Sequence, residues 1–196
     1  CPMPGSPGGR ELACPAGTSS GFTSPEPARA VSLPIPDATL RVALFEPRIP
    51  PNTGNIARTC AAFQLPLALI EPLGFQIDDK SVRRAGLDYW PHVQLSTHGT
   101  LDQLLDQLPQ RHRLIGLSRR EGTGLGDFRF ESGDVLLFGR EDTGLPEEVR
   151  SKCDAIVTIP MPGAADSSGQ GGVRSLNLSV ACAIVCFSAG RQLRMW

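Results

Sequence analysis

Short apolar runs alternate with helix-patterned segments from residue 40 to the last residue of the chain. Leu40–Phe45 (LRVALF), Leu67–Ile70, Leu114–Leu117, Val135–Phe138 and Ala155–Ile159 read as strands, with Val93–Leu95 as a further short one. Between them, Thr53–Phe63 reads as a helix with Asn52 or Thr53 at its N-cap. Asp79–Ala85 is a short helix with Gly86 just past its end. Leu101–Leu108 carries leucines at 101, 104, 105 and 108, an amphipathic spacing, and Leu176–Gly190 is the last helix. Strands separated by helices imply crossover connections and hence parallel pairing. VLLF and AIVTI show no polar alternation, as expected of strands covered on both faces. The pattern predicts an α/β domain with a mostly parallel sheet.

Glycine and proline mark where that domain begins. Residues 1–36 hold 8 Pro and 5 Gly, and almost no large apolar side chain. Such a stretch cannot offset its ordering entropy by burial, so 1–36 is expected to be a disordered leader and 37–196 one globular domain. The leader has no apolar core of a secretory signal. No run of 18 apolar residues exists to span a bilayer. Lys+Arg (19) nearly balances Asp+Glu (20), which argues against a strong overall field toward nucleic acid or an anionic membrane. The six cysteines are scattered, with no C-x-x-C pair and no histidine at metal spacing. They predict neither a disulfide framework nor a metal site, and a reducing, cytoplasmic setting.

Several motif readings fail. GTGLG (Gly122–Gly126) lacks the strand–turn–helix context of a dinucleotide fingerprint and reads as a flexible loop. There is no phosphate-binding G-x-x-x-x-G-K-[ST] and no G-x-S-x-G, and nothing places His92, His98 or His112 beside a nucleophile. The last helix is unusual: from Leu178 to Phe187 it is apolar or small on every side. A domain of this size does not enclose a terminal helix completely, so the helix is expected to meet a second copy of the chain in a homodimer.

Three segments carry chemical information. NTGNIARTC (Asn52–Cys60) gathers small polar residues at a helix N-terminus, where free N–H groups favour an anion, with Arg58 about a turn inward. A well-capped helix with a surface arginine would look the same. LLFGREDTGLP (Leu136–Pro146) takes a buried strand into a polar loop through Gly139, at the strand end where open α/β sheets bind ligands; an ordinary strand–helix loop is the alternative. AIVTIPMPG followed by RSLNLSVA sets Ser175, a natural N-cap, and Asn177 at the start of the last helix.

These three segments, in this order, resemble the three motifs of the SpoU branch of the SPOUT RNA methyltransferases. EPRIPPNTGNIARTCAAF and IEPLGFQIDDKSVRRAGLDYW extend the likeness to the small tRNA (cytidine/uridine-34) 2′-O-methyltransferases, over about residues 40–194. The resemblance implies a parallel α/β fold whose C-terminal part is a deep trefoil knot, and a homodimer with the last helix in its interface. It implies S-adenosylmethionine as cofactor, held at Leu117, Gly139, Ile159, Met161, Ser175 and Leu176, and no metal. It implies methylation of the wobble ribose of tRNA, with Arg58, Glu141 and Asn177 as catalytic residues. Guanidinium stays protonated, so Arg58 would act by binding a phosphate and lowering the pKa of the 2′-hydroxyl rather than as a base. The anticodon stem-loop would be met by Asn52, Asn55, Arg58, Lys80, Arg83, Arg84 and Tyr89, phosphate contact plus stacking. Arg119 and Arg120 form a second candidate patch. The Gly/Ser-rich stretch 163–172 is longer than the family usually has and falls beside the expected cofactor site. Two other readings stay open: methylation of another tRNA position or of rRNA, and a catalytically silent RNA-binding module of this fold.

Overall fold

A computed structural model describes residues 40–76, 92–109, 111–163 and 171–196. The expected leader, the helix at 79–85 with Lys80, Arg83, Arg84 and Tyr89, and most of the 163–172 stretch lie outside the described residues. The elements are β1 (Leu40–Phe45), α1 (Pro50–Phe63), β2 (Leu67–Ile70), β3 (Leu95–His98), α2 (Leu101–Leu105), β4 (Leu114–Leu117), β5 (Thr123–Gly124), β6 (Asp134–Phe138), α3 (Glu147–Arg150), β7 (Ala155–Thr158) and α4 (Leu178–Gln192). The strands form one seven-stranded sheet in the order β3-β2-β1-β6-β4-β7-β5. Every pairing in it is parallel.

The apolar runs fold this way because both faces of the sheet are covered. Successive side chains of a strand point to opposite faces, and the two hydrophobic clusters divide accordingly. Leu40, Val42 and Leu44 of β1 join Leu136 and Phe138 of β6 under Ile56 and Cys60 of α1 and Val185 and Cys186 of α4. Ala43 and Phe45 join Val135 and Leu137 under Leu101 and Leu104 of α2 and Val149 of α3. Asp134, the charged residue that opens β6, is fully buried and is held bidentately by Arg113 Nε and an Arg113 terminal nitrogen, both at 2.8 Å. That staple lies at the amino ends of β4 and β6 and leaves their carboxyl ends free for other use.

Element boundaries differ from the sequence reading for local reasons. α1 starts at Pro50 rather than Thr53, with Ile49 at its N-cap and no side-chain cap. Two consecutive prolines preset the helical φ and lack the N–H groups a cap would satisfy. Leu101–Leu108 is helical only to Leu105. The strand expected at 93–95 is Leu95–His98. Ser175 does not cap α4: the cap is Asn177, whose side chain accepts from Ser179 N. GTGLG is not a loop throughout, because Thr123–Gly124 adds an edge strand to β7. No helix among the described residues is long and apolar enough to cross a membrane.

Candidate active site

Because the strands run parallel, the segments that leave them emerge along one edge of the sheet, the carboxyl edge where α/β sheets form crevices. The segments after β1, β4, β6 and β7 and the start of α4 enclose one cavity of about 710 Å³ there. That volume suits a nucleoside-sized molecule with an extension. Among the described residues, no group of three or more His, Cys, Asp or Glu could hold a metal ion.

The loop after β6 is fixed by its own backbone. A Cβ on Gly139 would overlap the Gly144 carbonyl carbon and the Leu145 nitrogen, so glycine is required where the strand passes its returning loop. Gly144 (φ 76°) turns the chain. Arg140 N donates to Gly144 O at 3.2 Å and Gly144 N to Arg140 O at 2.9 Å. Arg140 grips Asp142 through two nitrogens, at 2.9 and 2.7 Å. This guanidinium holds the Asp142 carboxyl well below the usual carboxylate range.

Glu141 turns the other way, toward α1. Its Oε2 accepts from Arg48 N at 2.9 Å. Its Oε1 accepts from Ile49 N at 3.1 Å and from Asn52 Nδ2 at 3.2 Å. Asn52 Oδ1 accepts from Asn177 Nδ2 at 2.9 Å. Asn177 Oδ1 accepts from Ser179 N at 2.9 Å and Ser179 Oγ at 2.7 Å. An ionised carboxylate only accepts and a main-chain N–H only donates, so both amides can take one orientation each. The relay Glu141–Asn52–Asn177 thus ties the starts of α1 and α4 to the β6 loop.

Leu117, Gly139, Ile159, Met161, Ser175 and Leu176, together with Glu141, Asn177 and Asn52, all line the cavity. Arg58 and Asn55 do not: both are exposed on α1. Asn52 is buried, 5% exposed, and both ends of its amide are engaged inside the protein. The sequence reading gave it an RNA contact and missed this bridging position. The signal for it is faint: an amide directly after a Pro-Pro pair, in the first turn of a helix that buries its next two residues.

A parallel sheet with its carboxyl-edge cavity walled by the three motif segments is an architecture the chain shares with solved SpoU-type methyltransferases. The SpoU rRNA Methylase family model matches residues 39–187, and the chain belongs to that family. Within it, the chain is 43% identical over 152 residues to the tRNA (cytidine(34)-2′-O)-methyltransferase of Polaromonas sp., covering 77% of this chain and 89% of that one. It is similar to a solved structure described as giving insights into the 2-OH methylation of C/U34 on tRNA, with a TM-score of 0.73 and 46% identity, over 81% of this chain and 98% of that one. The SpoU methyltransferase AviRb of Streptomyces viridochromogenes, solved with AdoMet, superposes with a TM-score of 0.68 at 25% identity, over 81% of this chain and 62% of that one.

Proposed function

We propose that this protein transfers the methyl group of S-adenosylmethionine to the ribose 2′-hydroxyl of the wobble nucleotide, cytidine or uridine 34, of tRNA. The observation that carries the reading is the convergence of all three motif segments on one cavity, in a chain that aligns over most of its length with cytidine-34 methyltransferases.

The cavity fits the cofactor. Leu117, Ile159, Met161 and Leu176 give apolar walls suited to a purine face, and Gly139 lets the returning loop pack close enough to shape the cavity wall. Ser175 adds a hydroxyl on the run into α4. When bound, the cofactor supplies a methyl group already activated on a sulfonium. The protein's share is to place the hydroxyl in line and favour loss of its proton. Glu141 and Asn177 hold the strand-end loop and the two helix starts in register, so the wall facing the ribose is preorganised. Arg58 acts electrostatically rather than as a base, by gripping the phosphate next to the reactive ribose. Lys80, Arg83, Arg84 and Tyr89, with Asn55, extend the RNA contact toward the anticodon stem-loop.

The same reading includes a trefoil knot in the C-terminal part. It is supported by β6 lying between β1 and β4 although it follows both in the chain, and by the run into α4 sharing a cavity with the loops after β4 and β6. It includes a homodimer, supported by the exposed Val180, Ile184 and Phe187 along α4, a single globular domain over 37–196, and a cytoplasmic setting, supported by the free thiols of Cys60, Cys153, Cys182 and Cys186.

Arg58→Ala separates the roles. It should bind S-adenosylmethionine with unchanged affinity in calorimetry and lose methyl transfer to tRNA by at least a hundredfold. A variant that transfers at the wild-type rate contradicts the assignment.

A further inference from the structure

Five arginines line the cavity: Arg119, Arg120, Arg140, Arg150 and Arg174. Among the described residues, only two carboxylates, Glu141 and Asp142, accompany them. The whole chain has a formal net charge of −1, so this wall inverts the average. The proposed methyl donor does not account for it. That molecule carries a sulfonium and an ammonium against one carboxylate, a net cation that positive walls repel. The excess charge suits an anion that reaches the cavity from outside.

The five are not equivalent. Arg140 is engaged by Asp142 and, at 3.5 Å, by Glu46. Arg150 is engaged by Glu121 and Glu147. Arg119 donates to the main-chain oxygen of Arg174 at 2.8 Å, which pins the segment leaving β4 to the run into α4. The guanidinium groups of Arg120 and Arg174 are exposed and make no hydrogen bond or ion pair within the described residues. Two unneutralised forks therefore stand on segments that Arg119 fastens together, at the mouth of the cavity where the methyl acceptor must enter. Planar guanidinium matches phosphate oxygens in a bidentate way.

We propose that Arg120 and Arg174 form a phosphate clamp that grips the RNA backbone beside the nucleotide entering the cavity, with Arg119 as the strut that sets their spacing. The clamp deepens the proposed function and rests on it: its ligand is the backbone of the RNA to be methylated. It also resolves how a chain without net positive charge engages a polyanion, through a local field at the site of reaction rather than a global one.

Salt dependence of tRNA binding tests the clamp. Each phosphate contact contributes roughly 0.7–0.9 to the slope of log affinity against log salt. The double variant Arg120→Gln/Arg174→Gln should lower the magnitude of that slope by about 1.4–1.8 and weaken tRNA binding at least tenfold at low salt. It should still bind S-adenosylmethionine no more weakly than wild type, which also shows that it is folded. Arg129→Gln, an exposed arginine outside the cavity, is the control for charge alone and should leave the slope within about 0.3 of wild type. An unchanged slope in the double variant, or an equal loss in the control, overturns the clamp. Label transfer by the wild-type protein reports separately on the proposed function: tRNA bound through these arginines but never methylated sinks that reading and leaves the clamp standing.

Discussion

A buried amide costs free energy unless both of its ends are bonded, and Asn52 meets that condition only through residues far away in the chain. Its partners, Glu141 and Asn177, are 89 and 125 residues distant. No local pattern could reveal them, which is why the polar cluster at the start of α1 read equally well as an anion site or a capped helix. Gly139 was more legible, because a glycine at the end of an apolar strand already suggests close approach, although the crowding comes from the protein's own loop. The relay makes a testable claim. Asn52→Asp replaces a donor with an acceptor 3.2 Å from Glu141 Oε1. Two carboxylates at that distance cannot both ionise without cost, so the variant pair holds a proton to higher pH than two separate carboxyls would. A pair whose folded pKa is raised gains stability as pH falls through that pKa. The variant should therefore lie about 1–3 kcal/mol below wild type at pH 8 and recover much of the deficit near pH 5, measured by denaturant unfolding. A deficit independent of pH would contradict the relay.

At the scale of elements, the apolar runs were the most legible part. β1, β2, β4, β6 and β7 stand within a residue or so of where uninterrupted hydrophobicity placed them, because burial on both faces leaves no polar alternation to confuse the pattern. The ends were less legible. The N-cap of α4 is Asn177, whose side chain also donates to Asn52, and that second bond is tertiary. Cys60, Cys182 and Cys186 are fully buried in the core between the sheet and the helices. The Cys186 hydrogen bond and burial push the Cys182 thiol well up, and burial does the same for Cys60. α4 itself buries Cys182, Val185 and Ala189 toward the sheet and leaves Val180, Ile184 and Phe187 exposed, with Phe187 facing the Trp196 ring at 6.5 Å between centroids. An apolar stripe at that spacing suits a second copy of the chain. Ile184→Glu/Phe187→Glu should sediment as a monomer at micromolar concentration while keeping its far-ultraviolet dichroism, and the wild type should sediment as a dimer. A wild-type monomer would remove the dimer from the account.

The whole molecule combines an all-parallel sheet, which any α/β sequence of this pattern could have suggested, with a cavity that only the crossing order of its strands creates. The sheet follows from hydrophobic periodicity. The meeting of Leu117, Gly139, Glu141, Met161 and Ser175 around one space does not, because it depends on β6 entering between β1 and β4. The family likeness supplied in the sequence what periodicity could not. Charge shows the same division of scales: a near-neutral chain carries a strongly basic cavity wall. The most direct test of the account is to incubate the purified protein with S-adenosylmethionine carrying a labelled methyl group and with tRNA lacking wobble methylation, and then to map the 2′-O-methyl nucleotide by resistance to alkaline hydrolysis. The account predicts label on the ribose of nucleotide 34 and nowhere else in the tRNA. Label at another position, or a folded, cofactor-binding protein that transfers none, would contradict it.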